Sequence, residues 1–187
     1  MKKFIVMLIV LSTCKLQAQF AGSPGAIKAS AGYTHDFPGM NGYTIGAEYS
    51  FPLIEHLQGG IGIKHANMQG YPRTNQAFEY TRATTLDFNF YYAPLLTETQ
   101  LFRIGIGYSF SVYQIQRSYP LVVDYSDSKS STTWPTQKTT GTRPGVNLMA
   151  EYEFKIPNTN FSVGIRGALY RAYDGTYYIG PVVNYQL

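Results

Sequence analysis

Cysteine is nearly absent: Cys14 is the only one among 187 residues. It falls in a leader-like segment, so the remainder of the chain can hold neither a disulfide nor a thiolate metal site. Histidine is scarce too, with His35, His56 and His65 dispersed along the chain. No Gly-rich phosphate loop and no calcium-spaced carboxylate run occurs, and Gly59-Gly60-Ile61-Gly62 reads as small residues on a strand. No metal or other cofactor is expected. Charged residues make up only 14% of the chain, against roughly 25–35% on a water-facing surface. A membrane-spanning helix is missing as well. The apolar run from Phe4 to Leu11 would make about 12 Å of helix, short of a hydrocarbon core about 30 Å thick.

That run follows Lys2 and Lys3 and precedes Leu16-Gln17-Ala18, which is the pattern of a signal peptide covering residues 1–18. Residues 19–187 are then a single domain. A lipoprotein alternative would cleave before Cys14, but Leu11-Ser12-Thr13 places a threonine where such sites carry a small residue. Lys2, Lys3 and Lys15 leave with the leader. The remaining 12 basic and 11 acidic residues nearly cancel, so no nucleic-acid partner is expected.

What the chain has instead is alternation, together with 17 tyrosines. From Pro24 onward, apolar residues recur at every second position rather than at helical spacing. The cleanest stretch sets Phe102, Ile104, Ile106, Tyr108, Phe110 and Val112 against Arg103, Gly105, Gly107, Ser109 and Ser111. Seven others are centred on Ile27–Thr34, Tyr43–Phe51, Leu57–Lys64, Thr85–Tyr92, Val146–Phe154, Phe161–Leu169 and Tyr177–Leu187. The pattern predicts eight antiparallel strands. Connections alternate in length: short ones at Pro52, Pro94 and Pro157, each proline expected to end a strand, and longer ones at 35–42, 66–79 and 114–141, with a tight turn at 172–175.

A soluble lipocalin-like barrel would share this alternation with its faces reversed. The polar face argues against it, because that face is mostly Gly, Ser, Thr and Asn. Its few charges balance: Lys28, Lys64, Arg103 and Arg166 against Glu48, Asp87, Glu151 and Glu153. A closed lumen requires such balance, since buried ions must be paired. Aromatics sit toward strand ends, as at Tyr43, Tyr49 and Phe51 around Ile45 and Ala47, which is where membrane-interface girdles lie. The expected fold class is therefore all-β: a transmembrane antiparallel up-and-down barrel of about eight strands.

At the level of architecture the chain resembles the small eight-stranded outer-membrane barrels of OmpA/OmpX type. The most specific element is the last strand, Tyr177 to Leu187, which looks like the C-terminal signal read by the barrel-insertion machinery, although it ends in leucine where many members have phenylalanine. The resemblance implies an outer-membrane location, periplasmic termini, variable external loops, and contact with outer-membrane lipid and lipopolysaccharide. It implies no single activity.

One spacing suggests chemistry. His65, Asn67 and Glu79 resemble the hairpin of outer-membrane lipid A deacylases, but the nucleophile position holds an amide, which cannot be activated as an alkoxide. No catalytic residue is expected. The Ser-, Thr- and Tyr-rich segment from Gln114 to Gly141, with Tyr119, Tyr125 and Trp134, is a candidate binding loop or a strand extension with a disordered tip. The expected function is a non-enzymatic structural or binding barrel, free-standing or joined to other outer-membrane or surface proteins. A narrow channel and a lipid A-modifying enzyme are the alternatives.

Overall fold

A computed structural model describes residues 25–71, 77–119, 122–124, 131–133, 135–171 and 175–187. The expected signal peptide at 1–18, with Cys14, and Tyr125 and Trp134 lie outside the described residues. Ten strands are present among the described residues: β1 Ala26–Asp36, β2 Asn41–Ile54, β3 Leu57–Gly70, β4 Phe78–Leu96, β5 Gln100–Ser118, β6 Val122–Asp124, β7 Ser131–Thr133, β8 Thr136–Lys155, β9 Phe161–Arg171 and β10 Gly175–Gln186. Eight of them form one closed antiparallel barrel in chain order, while β6 and β7 pair as a separate ribbon between β5 and β8. The ring closes where β10 pairs with β1, from Ala26 opposite Gln186 to Asp36 opposite Thr176. The Leu187 amide donates to the Gly25 carbonyl at 2.9 Å beside that seam.

Strand pairing also sets the barrel's tilt. Following partners from Ile27 through Tyr49, Ile61, Phe88, Tyr108, Val146, Arg171 and Gly175 leads back to β1 at Phe37. That offset of ten residues from Ile27, divided over eight strands, tilts them by about 40° to the barrel axis. Side chains that meet across the bore therefore come from sequence positions that no single hairpin register would bring together.

The alternation sorts the faces inside out relative to a soluble barrel. Ile106, Leu148 and Ile63 stand outward at 58, 56 and 54% exposure, while Arg103, Asp87 and Glu151 point inward at 0, 0 and 1%. Water would not stabilise such an exterior, whereas hydrocarbon would, and closure leaves no unpaired strand edge within the apolar zone. Aromatic rings gather toward both ends. Tyr152 with Phe154 (4.8 Å) and Phe161 with Tyr185 (4.9 Å) lie at the short-turn end, and His35 with Tyr177 (5.1 Å) lies at the loop end.

Two expectations from the sequence need correction. Pro52 and Pro94 do not end their strands: β2 continues to Ile54 and β4 to Leu96, and the register shifts beside each proline instead. A residue without an N–H is tolerated at such a bulge. Only Pro157 lies in a turn, next to Asn158 with its positive φ of 60°. The long connections are also shorter than the apolar pattern suggested. Gln114–Ser118 pairs with Thr136–Thr140, and β3 runs on to Gly70 opposite Glu79. The ladder continues past the last apolar residues because outward Gln114, Gln116, Lys138 and Thr140 suit water rather than lipid. As a result β5 and β8, with 19 and 20 residues, carry their ladder about ten residues past the end of β9, where Arg171 lies opposite Val146.

The lipid-facing assignment makes a quantitative prediction. Ile106→Lys, between Phe90 and Leu148 on the outer wall, should destabilise the barrel by about 2–4 kcal/mol, and Gln114→Lys beyond the apolar belt by about 0–1 kcal/mol. Urea unfolding from lipid vesicles measures both, and equal costs would contradict the assignment.

Candidate functional site

All eight inward charges predicted from alternation lie inside the barrel and are at most 5% exposed. Four of them form a ring of alternating sign. Arg103 on β5 reaches Glu48 on β2 at 3.2 Å and Glu151 on β8 at 2.8 Å. Arg166 on β9 reaches Glu48 at 3.1 Å and also pairs with Glu151. Each guanidinium thus bridges both carboxylates, using the fork of donors that Arg presents in a plane.

Outside that ring, Lys28 on β1 lies 2.6 Å from Glu151 and pairs with Glu153. Glu153 accepts further hydrogen bonds from Ser162 and from Asn184 on β10, the latter at 2.9 Å. Lys64 on β3 lies 2.7 Å from Asp87 on β4 and over the Tyr170 ring at 4.6 Å. Every barrel strand thereby contributes to one electrically balanced plug. A one-residue slip of any charged strand would turn its charge toward lipid and strand the partner, so the plug specifies register as well as filling the bore.

Neutral side chains complete the plug, and the sequence did not single them out. Tyr91 donates its hydroxyl to Glu48 at 2.6 Å while Arg103 stacks on its ring at 3.8 Å. Asn89 also donates to Glu48, and Gln58 accepts from Arg103 at 2.9 Å. Tyr91 fits because two glycines flank it. A Cβ at Gly105 would lie 2.5 Å from its ring, and one at Gly60 3.0 Å away. An aromatic on the polar face of β4, between strands with glycine on that face, was the available signal.

Above the plug the bore widens into a cup open at the loop end, with about 150 Å³ of internal space. Lys64, Tyr170 and Tyr178 form its floor, with Ser and Thr hydroxyls, Met40, Met68 and Tyr113 around its wall. Met40 is tucked in by the β1–β2 turn, where the Asp36 carboxylate accepts the amides of Gly39 and Met40 at 2.9 and 2.7 Å. Gly39, at φ 112°, takes the left-handed step that this turn requires.

The other sequence candidates are not brought together. His65 faces outward, 3.1 Å from Thr84, and Asn67 donates to Tyr43 on the same outer wall. Glu79 faces inward and pairs with Arg117 at 2.7 Å. His65 and Glu79 therefore lie on opposite sides of the barrel wall. Tyr119 sits just past the end of β5, its hydroxyl 3.3 Å from Gln137. Among the described residues, no group of three His, Cys, Asp or Glu side chains is placed to hold a metal ion.

No protein-family model and no curated protein sequence matches this chain. Solved structures of small barrels do. Ail, the attachment invasion locus protein of Yersinia pestis, is 10% identical and covers 87% of this chain and 99% of its own, with a TM-score of 0.47. The N-terminal β-barrel domain of Pseudomonas aeruginosa OprF is 8% identical over 88% and 98%, with a TM-score of 0.49. Neisserial surface protein A is 12% identical over 87% and 95%, with a TM-score of 0.47. The barrel assignment rests on this chain's own register and faces.

Two predictions test the plug. Glu151→Ala leaves three buried cations short of a carboxylate and should destabilise by about 3–5 kcal/mol, whereas replacing a whole pair, Lys64→Met with Asp87→Leu, should be near neutral. Denaturant midpoints, with heat-modifiable mobility as the folding check, distinguish these outcomes. Gly105→Val should destabilise by about 1–3 kcal/mol through overpacking against Tyr91. Adding Tyr91→Ala should relieve that clash, and a second substitution whose cost simply adds would show that the ring is not what Gly105 accommodates.

Proposed function

We propose that this chain is a non-enzymatic outer-membrane barrel with a sealed bore, acting through its loop end in a structural or binding role. The observation that carries this reading is the plug: eight paired charges fill the lumen from the short-turn half to the cup floor, where an eight-stranded barrel is only wide enough for side chains to fill. A narrow channel would need that plug to part. A lipid-modifying site would need His65 and Glu79 on one face.

The outer wall supports an orientation with the short turns and both termini in the periplasm. At the loop end Arg82, Lys138 and Arg171 stand exposed and outward. No acidic side chain joins them on the outer face of the eight barrel strands, whereas Glu55 and Glu98 share the short-turn end with Lys155. A cationic collar suits the anionic headgroups of an outer leaflet of lipopolysaccharide. Arg82 is further held by Tyr80, its Nε donating to the hydroxyl at 2.7 Å. The closing strand β10 fits the proposed contact with the insertion machinery, since no closed ring exists before it pairs with β1. Association with other outer-membrane or surface proteins would engage the extended ends of β5 and β8.

Planar-bilayer recording tests the sealed bore directly. The purified barrel should give no steady conductance. A stable current altered by Arg103→Ala would overturn this reading in favour of a channel.

A further inference from the structure

We propose that the cup above the plug is a binding site for a neutral polyhydroxylated ring, a single glycan residue entering from the loop end. The inference rests on the reading that the plug seals the bore, because only a sealed bore makes the cup blind rather than a vestibule.

The shape is that of a ligand site. The cup has about 150 Å³ of internal space, room for roughly ten waters and so for one sugar ring rather than a larger ligand. Its wall is a closed sheet, and the β1–β2 turn at its rim is tied down by the Asp36 carboxylate. Little ordering would be required on binding.

The wall chemistry selects the ligand class. A sugar ring has a rim of hydroxyls and two weakly apolar C–H faces. The cup offers matching hydroxyls, the Thr34–Thr44 pair at 2.5 Å and the Thr85–Ser111 pair at 2.8 Å, whose O–H groups can rotate to donate or accept. Thr81 also lines the cup, 7% exposed, and its hydroxyl has no partner. A buried hydroxyl left without a partner is costly, and a ligand hydroxyl would satisfy it. For the C–H faces there are the apolar side chains of Met40 and Met68. Methionine adapts its shape to such surfaces.

Charge argues for a neutral ligand. Lys64 on the floor is matched by Asp87 at 2.7 Å, and Glu79 on the wall by Arg117 at 2.7 Å. A phosphate or carboxylate paired with Lys64 would displace Asp87 and leave that charge buried behind it, and the other cation in the lining, Arg143, lies over the Tyr113 ring at 4.4 Å. A neutral polyol needs only the hydroxyls.

The methionines provide the assay. Outside the leader they are Met40 and Met68, in the cup wall, and Met149, which does not line the cup but packs with Tyr91 and Tyr178 beneath it, its sulfur 3.7 Å from the Tyr91 hydroxyl. The folded barrel, labelled with 13C at the methionine methyls and held in nanodiscs, is titrated with glucose, galactose and N-acetylglucosamine. Glucuronate and glucose 6-phosphate serve as charged comparators. At least one neutral sugar should shift Met40 and Met68 saturably with a Kd on the order of 1 mM, leaving Met149 unmoved. Ser111→Ala should weaken that binding, and Ala83→Leu, which fills the cup, should abolish it while heat-modifiable folding persists. The proposal is overturned by linear shifts alone, by tighter binding of the charged sugars, or by saturable shifts that Ala83→Leu leaves intact. A conducting bore would fail the bilayer recording instead, so loss of the sealed-barrel reading and loss of the sugar site register in different experiments.

Discussion

Glu151 touches three cations at once, Lys28, Arg103 and Arg166, each from a different strand. The rest of the structure depends on that contact. In a hydrocarbon-clad barrel a buried charge can neither reach bulk water nor be left alone, so four cations and four anions must find one another across the bore. Desolvation makes such a cluster a poor source of net stability relative to apolar packing. What it contributes is discrimination, because every misregistered barrel strands ions in a low-dielectric interior.

This accounts for the unequal chemistry of the two halves of the lumen. The short-turn half and the middle are filled by the ion network and by Tyr91 lodged against Gly60 and Gly105. The loop half is lined by Ser and Thr of small volume, and there the same circumference leaves open space. Side-chain size decides where the barrel is solid and where it is a cup. The strand count is the same at both levels.

Much of this was legible in the sequence, and what was not has a definite cause. Period-two alternation identifies which side of the wall each residue faces, so Lys28, Glu48 and the other six inward charges could be named before any coordinates. Which of them meet could not, because Arg166 and Glu48 are brought together by a ten-residue offset accumulated around the ring. No local pattern displays that offset. Strand ends were misjudged for a related reason: hydrophobicity marks where lipid stops, while hydrogen-bond pairing continues into water along Gln114–Ser118 and Thr136–Thr140. The neutral partners Asn89, Gln58 and Asn184 look like ordinary polar strand residues until a carboxylate or a guanidinium lies beside them.

The seam between β1 and β10 is antiparallel like every other pairing in the ring; its ladder skips Ala31 and Gly32, opposite Pro181 and Gly180, but resumes in the same register, and it is joined beyond its end by the Leu187 to Gly25 hydrogen bond. The folded wall therefore has no first strand and no last one. Chain order matters to assembly, where a nascent ring must wait for its final stave, but once closed the object is a cylinder whose break point is a covalent accident. Any of its short turns could serve as the opening instead, and the lumen, reading only which strand stands beside which, would be unchanged.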